Sequence, residues 1–266
     1  MLFQILLNAF ERSKWMYNLY NDDCFNIFPK IADKSVDLIL CDLPYGTTHN
    51  EWDKTIPYDK LWEQYNRIIK DRGVIALFSL APFDKTLACS NLKDFRYEWV
   101  WKKNNTVGFL NSNNAPLRQH EVILIFSHKG FTSTNKQDNM VYNPQMKEGK
   151  PYIAKSGTAT GSYSKYNSVV TVTDERYPTD ILEFALDYPS VHPTQKPVEL
   201  CEYLIKTYTD KGMLVLDNCM GSGSVGVAAV NTGRDFIGVE LNKDFFNIAQ
   251  DRIENTDEKL DFSNFI

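Results

Sequence analysis

Apolar residues occur in short blocks separated by amphipathic stretches. Val36-Asp37-Leu38-Ile39-Leu40-Cys41 and Gly73-Val74-Ile75-Ala76-Leu77-Phe78 are nearly continuous apolar runs of strand length, the pattern of strands buried on both faces. Between them Leu61, Trp62, Tyr65, Ile68 and Ile69 recur at helical spacing and predict a helix over 59–71. The same reading gives a helix at 83–92, strands at 97–101 and 121–126, and a helix at 198–209. It then gives a strand at 213–216, a helix at 224–231, a strand at 236–240 and a helix at 244–254. Strands alternating with helices imply an α/β fold whose parallel sheet is covered on both faces. Trp99 and Trp101 share one face of their strand and are expected in the core. The apolar N-terminus, Met1 to Leu7, is expected to form an amphipathic helix rather than a signal peptide; the alternative is that Met16 opens the core and residues 1–15 are an appendage.

The rhythm fails between about 129 and 185, where Lys, Tyr, Ser, Thr, Asn and Gly dominate and long apolar runs are few. The expected organisation is an extension at 1–15, one half of a domain at 16–128, an insert at 129–185, the second half at 186–255 and a tail at 256–266. The net charge of −5 argues against a protein that coats nucleic acid by bulk charge. The charge is nevertheless segregated. Residues 99–166 hold nine Lys/Arg and three Asp/Glu, a local +6 that leaves −11 for the rest. Either one face meets a polyanion or the segment is a solvated loop. On the first reading Lys102, Lys103, Arg118, Lys136, Lys147, Lys150 and Lys155 are the candidate contacts. The five cysteines form no CxxC pair, so neither a disulfide framework nor a structural zinc is indicated. No apolar run reaches the ~18 residues that span a bilayer, and a reducing cytoplasm is the expected compartment.

Two short motifs carry chemistry. The first is Gly221-Ser222-Gly223-Ser224-Val225-Gly226, a GxGxxG placed between the strand ending at Asp217 and a helix. Glycines there permit a tight turn and close approach of a ligand to the backbone. Glu240 ends the next strand, where a carboxylate accepts from ribose hydroxyls. A dinucleotide is the usual first guess, but Asp217 would repel a pyrophosphate and suits an ammonium. Only 26 residues follow Glu240, too few for a second nucleotide-binding half. A cofactor with adenine, ribose, a cationic amino-acid end and no phosphate fits, and S-adenosylmethionine is that molecule. The second motif is Asp42-Leu43-Pro44-Tyr45. Ligands of parallel α/β sheets bind at the carboxyl ends of strands, so this turn is expected to face the site. Pro44 restricts itself and Leu43, giving a rigid turn that offers a carboxylate, carbonyls and a ring. That set suits methylation of an exocyclic amine. Its nitrogen is a poor nucleophile, and acceptors that grip its N–H groups favour a pyramidal lone pair. A carboxylate is too weak a base to strip the neutral amine first, so the proton leaves as or after the methyl arrives. Tyr45 is expected to stack on the base.

Together these motifs resemble the S-adenosylmethionine-dependent DNA amino-methyltransferases. The turn first and the glycine loop last is the order of their beta class, a circular permutation of the Rossmann-like class I methyltransferase fold. The resemblance covers about 16–255. It implies that Asp23, in Tyr20-Asn21-Asp22-Asp23-Cys24, sits near the cofactor adenine, and that Glu121 to Lys129 helps form the base pocket. It also implies that Thr194 and Lys196, in His192-Pro193-Thr194-Gln195-Lys196-Pro197, lie near the methionine end, and that the insert reads the target. Leu43 replaces the family's commoner Pro, and Asn218-Cys219-Met220 replaces Pro-Phe-Ala. Asp at position 42 is more like the adenine-N6 than the cytosine-N4 members. The implied partner is double-stranded DNA, with a homodimer and a cognate restriction endonuclease compatible. Cytosine-N4 methylation, an RNA or protein-amide substrate, and a non-catalytic DNA-binding module remain the alternatives.

Overall fold

The computed structural model describes residues 16–46, 56–155, 170–188 and 195–263, so the amphipathic helix expected at the N-terminus lies outside the described residues. The larger of its two units spans 1–143 and 180–266, and the smaller spans Pro144–Thr179. Residues 129–143 and 180–185, polar in composition like the insert, belong to the larger unit.

The larger unit is built on one eight-stranded sheet. Its strands are β1 (Tyr17–Tyr20), β2 (Val36–Cys41), β3 (Ile69–Ser79), β4 (Phe95–Val107), β5 (Arg118–Phe126), β8 (Ile181–Glu183), β9 (Leu214–Asp217) and β10 (Asp235–Val239), in the order β1-β10-β9-β2-β3-β5-β4-β8. The apolar runs appear where the pattern puts them, and β2 is buried at every position. The wholly parallel sheet expected from the alternation is not what forms. β5 runs antiparallel to both β3 and β4. Hydrophobic periodicity carries no strand direction, and a hairpin without a helix joins β4 to β5. Asp37, a charge inside β2, is accommodated by Lys70 Nζ at 2.8 Å and by the Leu214 amide at 3.0 Å.

Helices cover both faces. α1 (Cys24–Ile27), α2 (Tyr58–Ile68) and α3 (Phe83–Ser90) pack a cluster that includes Ile39, Leu61, Tyr65 and Leu87. α4 (Val198–Tyr208), α5 (Ser224–Thr232) and α6 (Lys243–Ser263) pack another that includes Leu38, Leu40, Leu204 and Ala228. Alternate β2 residues thus feed opposite faces, as a pleated strand requires. The predicted helix over 59–71 stops at Ile68, because Ile69 turns extended and starts β3. Trp99 and Trp101 are buried, with their indole N–H groups donating to the Tyr208 hydroxyl and the Phe184 carbonyl.

Strand order fixes the site. From β2 the chain steps through β3 toward one edge, and from β9 through β10 toward the other. β2 and β9 lie side by side and parallel, Leu38 opposite Val215 and Ile39 opposite Leu216. Order reverses between them, and ligands of open α/β sheets bind outside the carboxyl ends at such a point. Asp42 follows β2 there, and Asp217 ends β9.

The smaller unit contains β6 (Lys147–Lys155) paired antiparallel with β7 (Val170–Arg176).

Candidate active site

A cavity of about 1000 Å³ opens at this reversal. Of the predicted residues, Asp23, Asp42, Pro44, Tyr45, Lys196, Asp217, Gly221 and Glu240 all line it. Gly223 stands just behind, and Thr194 lies outside the described residues.

The glycine loop shapes one side. Gly223 has φ +79°, a conformation glycine adopts without strain, and a Cβ there would lie 2.9 Å from that of Ala249 on α6. At Gly221 (φ +51°) a Cβ would meet nothing within 4 Å, so this backbone faces open space. Glu240 braces the loop, accepting from the Gly221 amide at 2.9 Å and the Asn242 amide at 2.8 Å. Burial raises its pKa, against the pull of those amides. Asp217 is buried and accepts from the Cys219 amide at 3.1 Å. Burial pushes its carboxyl up to about 7, helped by the nearby charges of Asp42 and Glu240 and opposed by the Cys219 amide and the Cys41 thiol. Asn218 is held by the Tyr65 hydroxyl at 2.6 Å. Asp23 caps α1, accepting from the Phe25 amide at 2.8 Å, and Phe25 also lines the cavity. Open backbone and two partly desolvated carboxylates fit a cationic, phosphate-free cofactor.

The Asp42 turn shapes the opposite side. Leu43, which departs from the family's pattern, is 3% exposed and packs into the core cluster beside Ile39 and Leu61. One Asp42 oxygen accepts from the Tyr45 hydroxyl at 2.6 Å, and the other accepts from Lys196 Nζ at 2.6 Å. Lys196 also stands 3.3 Å from Glu121 Oε2, and Glu121 Oε1 pairs with Lys103. A line of alternating charge therefore runs Lys103–Glu121–Lys196–Asp42 and ends on Tyr45. Burial alone would lower the Lys196 pKa, but Asp42 and Glu121 outweigh it and raise it. Burial likewise pushes Glu121 up, yet Lys196 and Lys103 leave it below the ordinary carboxylate value. Tyr45 is raised well above an ordinary phenol by burial and by the Asp42 and Glu121 charges, so it keeps its proton and donates.

Three of the expected site residues have partners in the structure that the sequence does not show. Lys196, expected at the methionine end of the cofactor, holds the Asp42 carboxylate. Tyr45, expected to stack on a base, lies 4.7 Å from the Phe83 ring at a 34° tilt with its hydroxyl on Asp42. Lys103, expected to contact phosphates, is in the cavity wall paired with Glu121, which the β4–β5 register sets opposite Trp101, two residues before Lys103. Lys102 pairs with Glu183 at 2.9 Å on the surface. Arg118, Lys136, Lys147 and Lys150 are exposed, and the Lys155 side chain lies outside the described residues. Glu121, expected only as the start of the strand that helps form the base pocket, is the counter-charge of both Lys103 and Lys196. Its signal was a carboxylate at the head of the apolar run 122–126.

Chemically, Asp42 is oriented by two donors while keeping lone pairs for a third. Held between those donors, the carboxylate can grip an N–H. Among the described residues no group of His, Cys, Asp and Glu could hold a metal ion, and no helix is long and apolar enough to cross a membrane.

Comparison with known proteins agrees with this geometry. The family model described as DNA methylase, N6_N4_Mtase, matches residues 36–251. The Type II methyltransferase M2.DpnII of Streptococcus pneumoniae is 26% identical over 90% of this chain and 90% of its own length. The DNA adenine methyltransferase YhdJ of Escherichia coli strain K12 is 25% identical over 89% of this chain and 82% of its own. Among solved structures, the complex of M1.HpyAVI with S-adenosylmethionine superposes with a TM-score of 0.59 and 23% identity over 89% of this chain and all of that one. The cytosine-N4-specific PvuII DNA methyltransferase superposes with a TM-score of 0.63 and 13% identity over 90% of this chain and 88% of that one. With both motifs gathered at one sheet reversal and the family model spanning both halves of the fold, this chain belongs to the N6/N4 DNA methylase family of S-adenosylmethionine-dependent amino-methyltransferases.

Proposed function

We propose that the protein is a sequence-specific DNA methyltransferase acting on the N6 amino group of adenine in a duplex, with the target base flipped out of the helix. The observation that carries this reading is the single cavity lined by both the Asp42 turn and the glycine loop. Adenine is favoured over cytosine by the carboxylate at position 42 and by the adenine specificity of the relative YhdJ. The names of the Type II relatives favour a cognate endonuclease acting alongside.

Asp217, Gly221 and Glu240 would hold S-adenosylmethionine, with Asp23 near its adenine. When bound, the cofactor supplies an electrophilic methyl carried on sulfonium. The chain's own part is geometric and electrostatic. Asp42 and a carbonyl of the turn accept the two amino hydrogens and draw the nitrogen lone pair out of conjugation. Lys196 and Tyr45 fix the Asp42 carboxylate, and Glu121 and Lys103 fix Lys196. Holding the nitrogen in line at ~3–3.5 Å supplies much of the rate. Extruding the base costs a few kcal/mol, which duplex contacts must offset.

Long-read sequencing of DNA from cells expressing the chain, with mass spectrometry of its nucleosides, tests this reading. N6-methyladenine at one sequence context is expected, and Asp42→Ala should abolish it while cofactor affinity persists. N4-methylcytosine would replace the base assignment. No methylated DNA, or full methylation by Asp42→Ala, would overturn the proposed chemistry.

A further inference from the structure

The hairpin joining β4 to β5 ends in an apolar tip beside the cavity. Val107 pairs with Arg118 in register, so residues 108–117 close the hairpin. Gly108, at φ 96°, turns the chain into a single 3-10 turn, Phe109–Asn111. That turn sets Phe109 79% and Leu110 97% exposed, with Val107 and Leu117 partly exposed below them. Asn111-Ser112-Asn113-Asn114 follow, polar and uncharged, and Ala115-Pro116-Leu117 lead back to β5. Asn105 and Val107, at the end of β4, line the cavity, so the tip rises from its rim.

Scattered exposed apolar residues need no explanation. Two adjacent large ones at the tip of an uncharged hairpin loop, next to a catalytic cavity, point to a partner. Charge tells which. From Lys102 to Arg118 there is no Asp or Glu, and Arg118 is exposed at the foot of the loop. A strand of phosphates can approach this hairpin without repulsion. Everting a base leaves an apolar gap between the neighbouring pairs of the stack. Apolar side chains that enter such a gap stabilise the unstacked duplex. We infer that Phe109 and Leu110 form a wedge that enters duplex DNA at the place the target base leaves. This rests on the proposed reading of the cavity and adds the element that drives the extrusion. The two residues touch the stack, not the reacting atoms, so their contribution lies in opening the duplex.

The test is single-turnover methylation by the Phe109→Ala/Leu110→Ala variant on two duplexes that carry the site found by sequencing. In one the target is paired normally, and in the other it faces an abasic position. The wild type is run first on both, and if it methylates neither, the underlying reading fails before the wedge is reached. Given an active wild type, the variant should lose about tenfold or more on the paired duplex and come within about twofold of wild type on the abasic one, where extrusion is cheap. Thermal melting and calorimetric affinity for S-adenosylmethionine should match the wild type. Equal loss on both duplexes, or no loss on the paired one, overturns the wedge. So does a variant that turns a dimer into a monomer in sedimentation and recovers activity at high concentration, which would make the tip a contact between copies.

Discussion

Asp217 sits where a buried carboxyl meets an expected cation, and its protonation should therefore report cofactor binding. In the free protein its pKa is pushed to about 7, chiefly by burial. A cationic amino-acid end beside it would favour the ionised form and draw the pKa down. Affinity for S-adenosylmethionine should then rise as pH climbs through about 7, and binding at pH 7 should expel about half a proton. Calorimetry in two buffers of different ionisation enthalpy measures that release. Asp217→Asn should bind more weakly and show neither the release nor the pH slope, whereas release that survives the substitution would assign it to another group. The sign for folding is opposite. The folded state holds this proton between about pH 4 and 7 while the unfolded chain has lost it, so the group's contribution to stability declines as pH rises across that window.

Elements meet through the charge line Lys103–Glu121–Lys196–Asp42, which joins β4, β5, the approach to α4 and the turn after β2. Glu121 is the middle anion, 8% exposed, with a cation on each side. Glu121→Gln keeps the shape but leaves two partly buried ammonium groups with one carboxylate between them. Removing one partner of a buried pair typically costs about 3–5 kcal/mol, and the partial exposure of Lys103 puts the expected loss near the lower figure, about 3 kcal/mol. Urea unfolding measures it. Pairing the change with Lys103→Met should recover part of the loss, and strict additivity in that double-mutant cycle would show that the two side chains do not couple. This line was not legible in the sequence. Its members lie 18, 75 and 154 residues apart along the chain, from 103 to 121, 121 to 196 and 196 to 42, and only strand order brings them together. The Asp42 turn and the glycine loop were legible because each is complete within a few residues and each ends a strand whose apolar run is plain. Strand direction was not, since a buried run such as 122–126 reads alike in a parallel or an antiparallel neighbour.

A whole molecule of net charge −5 that binds DNA must do so through a minority of its cations, and the structure sorts which ones are available. Seven were expected from the local +6. Lys103 is committed to Glu121, Lys102 is paired with Glu183, Arg118, Lys136, Lys147 and Lys150 stand exposed, and the Lys155 side chain lies outside the described residues. Each phosphate contact releases condensed counterions, and the logarithm of affinity falls against the logarithm of salt with slope about −0.9 per contact. Four contacts give a slope of about −3 to −4, where all seven would give about −6. Lys147→Ala with Lys150→Ala, both in the smaller unit, should flatten the slope by about 2 whatever the DNA sequence. Lys103→Ala should leave the slope alone and lower methyl transfer, because its partner is a carboxylate of the cavity wall. Fluorescence anisotropy with a labelled duplex across a salt series separates the two. A slope that drops with Lys103→Ala and not with the Lys147/Lys150 pair would mean that the cavity wall, rather than the exposed cations, carries the phosphates, and the assignment of Glu121 as the counter-charge of Lys103 in the DNA-bound protein would have to be given up.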